Sequence, residues 1–110
     1  MGTRAVITFK DEHDTFCVYQ HWDGDPATIT ENLLKAQEYA WELPRFEAAE
    51  FAAAYIAATK KKGGGDNQGG NIYFARGAKF HCDLSYNYVV TEKDGKLNIE
   101  AYRGNGRAKV

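Results

Sequence analysis

"VYQHWDGDPATIT", residues 18–30, contains the point at which the chain changes its period, and its reading decides the fold. Up to Trp22 the residues alternate, with Phe16, Val18, Gln20 and Trp22 against Cys17, Tyr19, His21 and Asp23. The first set is the more apolar and is assigned to the core, which leaves Tyr19, His21 and Asp23 on the open face of a strand. From Gly24 the signals are those of a helix start. Gly24 suits a positive φ, Asp25 a cap and Pro26 the first helical turn, with Thr28 and Glu31 offering a capping box slightly later.

Outward from this junction the other elements follow. "TRAVITFK" alternates with Ala5, Ile7 and Phe9 on one side, and "DEHD" turns it into the strand just described. After the junction, Ile29, Leu33, Ala36 and Ala40 recur at helical spacing through "AWEL", while Glu31, Glu38 and Glu42 face water. Pro44 separates this helix from "RFEAAEFAAAYIAATKKK", an alanine-rich run with Phe51, Tyr55 and Ala58 on one stripe. Its early Glu47 and Glu50 and its terminal Lys60, Lys61 and Lys62 complement the helix dipole. "GGGDNQGG", residues 63–70, reads as a flexible loop. "NIYFAR" and "FHCDLSYNYVV" read as strands, the second with Phe80, Cys82, Leu84, Tyr86, Tyr88 and Val90 on one face and His81, Asp83, Ser85 and Asn87 on the other. Asp94-Gly95 turns the chain into "LNIEAYR", with Leu97, Ile99 and Ala101 inward, and residues 104–110 read as a frayed tail.

The order β-β-α-α-β-β-β predicts an α+β fold, an antiparallel sheet with the helix pair packed on one face and the other face open. The 110 residues, 44% of them hydrophobic, suit a single domain spanning 1–110. No apolar run reaches the roughly 20 residues of a membrane span and no signal-peptide pattern opens the chain, so a cytoplasmic protein without a membrane partner is expected. Cys17 and Cys82 lack the close spacing of zinc ligands and read as two buried free thiols. The net charge of −1 conceals an asymmetry: residues 1–59 carry four Lys/Arg and ten Asp/Glu, residues 60–110 carry ten and five.

No catalytic or cofactor signature stands out. The glycine-rich loop lacks the Lys-Ser/Thr ending and the preceding strand of a P-loop, and Cys17 sits within a strand rather than at a helix start, so no cofactor and no nucleophilic catalysis is expected. Asp23 and Asp25 would repel an anion from the helix start between them. The enzymatic alternative is a small metal-dependent hydrolase or nucleotide-acting enzyme in which His21, Asp23, His81 and Asp83 leave one side of the sheet. A solvated sheet face explains the same four residues, and none sits at a recognised metal-ligand spacing, so no metal is assigned. A nucleic-acid module is a further alternative, with Lys60 to Lys62, Arg76, Lys79, Arg103 and Arg107 as its basic patch and Tyr73, Tyr86, Tyr88 and Tyr102 as stacking surfaces. Asp11, Glu12, Asp14, Glu31, Glu38 and Glu42 form the remaining feature, an acidic ridge suited to a basic partner, for which a solvated charged face is the alternative reading. Exposed strand edges and an aromatic open face also allow a homodimer.

"MGTRAVITFKDE" with "VYQHWDGDP" resembles the opening of small proteins of unassigned function encoded by bacterial genomes, prophages and other mobile elements. The likeness rests on Gly2, Thr3, Arg4, Tyr19, His21, Asp23 and Gly24 and covers about the first quarter of the chain, with a looser match in "YAWELPRFEAAEFAAAYIAA". It implies a phage or mobile-element accessory protein in a host cytoplasm. Such proteins often bind and inhibit a host complex, and some are counter-defence factors of the anti-CRISPR type, so the resemblance implies that kind of role. The sequence therefore favours a non-enzymatic binding protein, with Asp11, Glu12, Asp14, Tyr19, His21, Asp23, Glu31, Glu38 and Glu42 as its binding residues.

Overall fold

The computed structural model describes residues 3–62, 72–77 and 84–104. The elements are β1 (Ala5–Lys10), β2 (Thr15–Gln20), α1 (Pro26–Gln37), α2 (Ala48–Lys62), β3 (Ile72–Ala75), β4 (Tyr86–Lys93) and β5 (Lys96–Arg103). The α+β class and the element order are as the sequence predicts. The sheet, however, is mixed rather than purely antiparallel: its order is β3-β2-β1-β4-β5, and β4 lies parallel to β1. The β1–β2 hairpin occupies one edge of β1 and β3 extends it outward, so β4 joins at the free edge of β1. Register places Ala5, Ile7, Phe9, Val18, Ile72, Tyr88 and Val90 on the face that the helices cover. There they meet Ile29, Leu33 and Ala36 of α1 and Phe51, Ala52, Tyr55 and Ala58 of α2, with the Phe9 ring 5.8 Å from Phe51 and 5.6 Å from Tyr55. The stripe expected on α2 is the one that is buried.

α1 stops at Gln37, earlier than "AWEL" predicts, and residues 38–47 link the helices irregularly. Glu50 fixes this link by accepting the Trp41 N–H at 3.1 Å. Asp25 is the cap, accepting the N–H of Thr28 at 3.1 Å, and the later capping box is not used.

The turn at residues 21–25 departs from the sequence reading. The left-handed residue is Asp23, φ 57°, and not Gly24. Gly24 is needed for space: a Cβ there would lie 2.5 Å from the Thr3 carbonyl oxygen and 2.7 Å from the Ala5 Cβ. That approach allows the Gly24 N–H to donate to the Thr3 carbonyl at 2.8 Å, while the Tyr88 hydroxyl donates to the Gly24 carbonyl. Trp22 does not anchor the core; it is half-buried beside His21, the rings 4.8 Å apart and edge-on. The buried anchor is Gln20, whose amide donates to the carbonyls of Trp22 and Asp23 and whose oxygen accepts the hydroxyl of Tyr55.

Two further expectations change. Leu84 precedes β4 and falls on the opposite face from Tyr86, Tyr88 and Val90, where it packs with Val6 and Tyr19. Alternation predicted from a strand running through Leu84 fails because the strand starts at Tyr86. Cys17 is a half-buried free thiol, 3.5 Å from the Thr8 hydroxyl on the face away from the helices. Cys82, Phe80, the 63–70 loop and the tail beyond Gly104 lie outside the described residues. The Asp94-Gly95 turn is as expected, with both residues at positive φ.

Candidate functional site

Two places concentrate polar groups. The first is the end of β2. The Tyr19 hydroxyl and His21 Nδ1 are 2.9 Å apart, and the Tyr19 ring lies 5.1 Å from that of Tyr73 on β3. Tyr19 is buried, not open, because Leu84 and Val6 pack against it. Alternation ends with β2 at Gln20, so the side chain of Asp23 is not placed by the strand; the left-handed backbone of Asp23 belongs to the turn. His21 is therefore part of an aromatic cluster with Tyr19, Trp22 and Tyr73. His81 and Asp83 lie outside the described residues, as do Lys79 and Arg107. Among the described residues, no group of three or more His, Cys, Asp or Glu is arranged to hold a metal ion.

The second place is a groove of about 800 Å³ at the opposite end of the sheet. Three segments that are distant in sequence meet there. The β1–β2 turn contributes Asp11, Glu12 and Asp14, the approach to α2 contributes Phe46 and Glu47, and the end of β4 and the middle of β5 contribute Glu92 and Glu100. The lining holds six carboxylates against one lysine, Lys10, with His13 beside it. Pro44, Phe46 and Val89 supply an apolar part.

The carboxylates are not equivalent. Asp11 is structural: one oxygen accepts the backbone N–H groups of His13 and Asp14 at 2.7 Å each, and the other accepts that of Ala48 at 2.6 Å. These bonds, that from Ala48 foremost, hold its carboxyl below the usual range. Asp11 thus fastens the hairpin turn to the start of α2 rather than offering itself to a partner. Glu92 accepts the Gly95 N–H at 2.6 Å, and Glu100 accepts the Tyr102 hydroxyl. Glu12, Asp14 and Glu47 are exposed.

The acidic ridge read from the sequence is therefore divided. Glu12 and Asp14 line the groove, whereas Glu31, Glu38 and Glu42 are exposed on α1 and after it and do not line it. Glu47, Glu92 and Glu100 belong to the acidic site, and sequence reasoning misses them. No local pattern carries them: parallel pairing of β1 with β4 sets Phe9 beside Val90, and β5 then returns Glu100 opposite Val89. The proposed stacking tyrosines divide too, since Tyr86 and Tyr88 face the helices while Tyr73 and Tyr102 lie on the other face. Among the described residues no helix is long and apolar enough to cross a membrane. No family model matches the chain, and neither a curated protein nor a solved structure matches it.

Proposed function

We propose that this protein is a non-enzymatic binding protein whose acidic groove takes a Lys/Arg-rich segment of a protein partner. The observation that supports this reading is the convergence of six carboxylates and one lysine on a groove that also carries Phe46 and Val89. Carboxylates distributed over a groove provide a field for several cationic side chains, and the apolar part accepts their aliphatic stems. The resemblance of the chain's opening suggests the setting, a phage or mobile-element accessory protein directed at a host complex. Inhibition of that complex, including a counter-defence role, is the corresponding proposal.

The test is titration of the protein with a Lys/Arg-rich peptide, followed by backbone NMR at two ionic strengths. Binding perturbs Phe46, Val89 and Thr91 and weakens as salt rises, because exposed charges are screened over about 10 Å at 0.1 M. Glu47→Lys with Glu12→Lys lowers affinity at least ~10-fold, equal to about 1.4 kcal/mol. Perturbations confined to other faces, or affinity unchanged in the double variant, overturn the assignment.

A further inference from the structure

We propose that the outer edge of β3 is a homodimer interface, at which two copies pair antiparallel and extend the sheet. Among the described residues, β3 is the last strand on its side of the sheet and pairs only with β2. Its sequence, Ile-Tyr-Phe-Ala, is blunted only by its length of four residues and carries no lysine, no proline and no inward charge. It exposes aromatics on both faces instead. Phe74 is 61% exposed on the helix side and Tyr73 52% on the other, while the adjacent Ile72 is 2% exposed. The helix layer therefore covers one end of β3 and leaves the other bare.

β2 outruns β3, whose last pair is Ala75 with Cys17, so Phe16 lies diagonal to Phe74 on the same face and is 36% exposed. Phe16, Cys17, Phe74 and Ala75, with Thr15 and Arg76, line a shallow groove of about 490 Å³.

A second copy fits this edge because the edge is self-complementary. Paired residues in an antiparallel sheet point to the same face, so a two-fold axis must set a residue against its own equivalent. Placed at Phe74, it sets the two Phe74 rings together, flanked by the two Phe16 rings, in one apolar row across the junction. Tyr73 then lies opposite Ala75 of the second copy. Arg76 comes opposite Ile72, so no like charges meet across the axis, and a net charge of −1 per copy adds little repulsion at long range. The helix-covered Ile72 ends fall at opposite ends of the pairing. A different protein donating a strand would meet the same backbone, but would need its own aromatics to fill the groove that a copy fills by symmetry.

Sedimentation velocity over a concentration series reads the outcome. The short strands place the dimer in the micromolar class. Phe74→Lys weakens dimerisation at least ~100-fold while leaving the melting temperature of the monomer in place, because the side chain is already in water; Phe16→Lys does the same from the neighbouring strand. Trp41→Lys, an equally drastic change at an exposed aromatic away from the edge, leaves the dimer intact. A wild-type chain that stays monomeric up to millimolar concentration overturns the proposal, as does a dimer that survives both Phe74→Lys and Phe16→Lys. Peptide binding at the acidic groove is read separately in Phe74→Lys, so failure of one reading does not imply failure of the other.

Discussion

Replacing Gly24 by alanine tests the packing of the turn that joins the sheet to the helices. The backbone of Gly24 is not left-handed, so alanine adopts its conformation without strain and even gains about 0.4–1 kcal/mol by restricting the unfolded chain. The added methyl is the only obstacle. It would stand 2.5 Å from the Thr3 carbonyl oxygen and 2.7 Å from the Ala5 Cβ, and 3.2 Å from the Ala5 nitrogen. Comfortable separations are about 3.5–4.0 Å between carbons, so backbone must move by about 1 Å. That movement stretches the Gly24 N–H bond to Thr3 and draws the Gly24 carbonyl from the Tyr88 hydroxyl, which is buried among core residues. Overpacking of this kind costs about 1–3 kcal/mol, and a weakened buried hydrogen bond adds about 1.

The net expectation for Gly24→Ala is a loss of ~2–3 kcal/mol, a fall of roughly 10 °C in melting temperature for a chain of this length, read by urea and thermal denaturation. Gly95→Ala is the contrast. Gly95 has φ +77° and nothing within 4 Å of the place an added methyl would take, so it costs only the left-handed backbone penalty of about 1–2 kcal/mol. Adding Ala5→Gly to Gly24→Ala removes the 2.7 Å contact but not the 2.5 Å one, so the double variant is less destabilised than the sum of the singles yet does not regain wild-type stability. A melting temperature for Gly24→Ala within about 2 °C of wild type would refute the reasoning, because two sub-contact distances cannot be relieved that cheaply.

Three further outcomes follow from the same structure. Tyr55→Phe removes the hydroxyl that Gln20 accepts and costs about 1–3 kcal/mol by urea denaturation, since Gln20 is buried and its oxygen loses its partner. Burial raises the ionisation of both Tyr55 and Tyr88 above the ordinary tyrosine value, so the unfolded chain releases these protons first; their contribution to stability is full below about pH 10 and falls as pH rises beyond it, and the double Phe variant flattens that alkaline limb. Asp11 shows the opposite sign, its carboxyl being held low by the N–H groups of Ala48, Asp14 and His13: its contribution is present above the unfolded value near pH 4 and is lost as pH falls, and Asp11→Ala lowers the melting temperature at neutral pH while shrinking the acid dependence.

What the sequence discloses is what short range determines. Asp25 at the helix start, Asp94-Gly95 in the hairpin, and the Phe51, Tyr55, Ala58 stripe depend on neighbours within a turn or two, and each is where the residues indicate. Gln20 illustrates the intermediate case: alternation places it inward correctly, but that it ties Tyr55 to the carbonyls of Trp22 and Asp23 requires α2 to lie across β2. Leu84 is the opposite failure, since alternation carried across it includes residues that do not belong to the strand. Hydrophobic period locates strands without ordering them, because an inward face satisfies any neighbour.

The acidic groove depends wholly on that ordering. With β4 antiparallel to β1, the charged end of β4 would have joined the other end of the sheet, beside Ala5 and far from Asp11. Parallel pairing instead brings Glu92 and Glu100 to the hairpin turn that already holds Glu12 and Asp14, and Asp11 draws Glu47 in by binding the adjacent Ala48 N–H. One carboxylate is thus spent to assemble the others. Asp11→Asn separates the two roles: it removes a charge from the groove, and its single amide oxygen keeps either the His13 and Asp14 bonds or the Ala48 bond but not all three, so it should weaken binding of a basic peptide less than Glu47→Lys while lowering stability more. The reverse ranking, read by peptide titration and thermal denaturation on the same two variants, would make Asp11 a contact residue rather than a fastener.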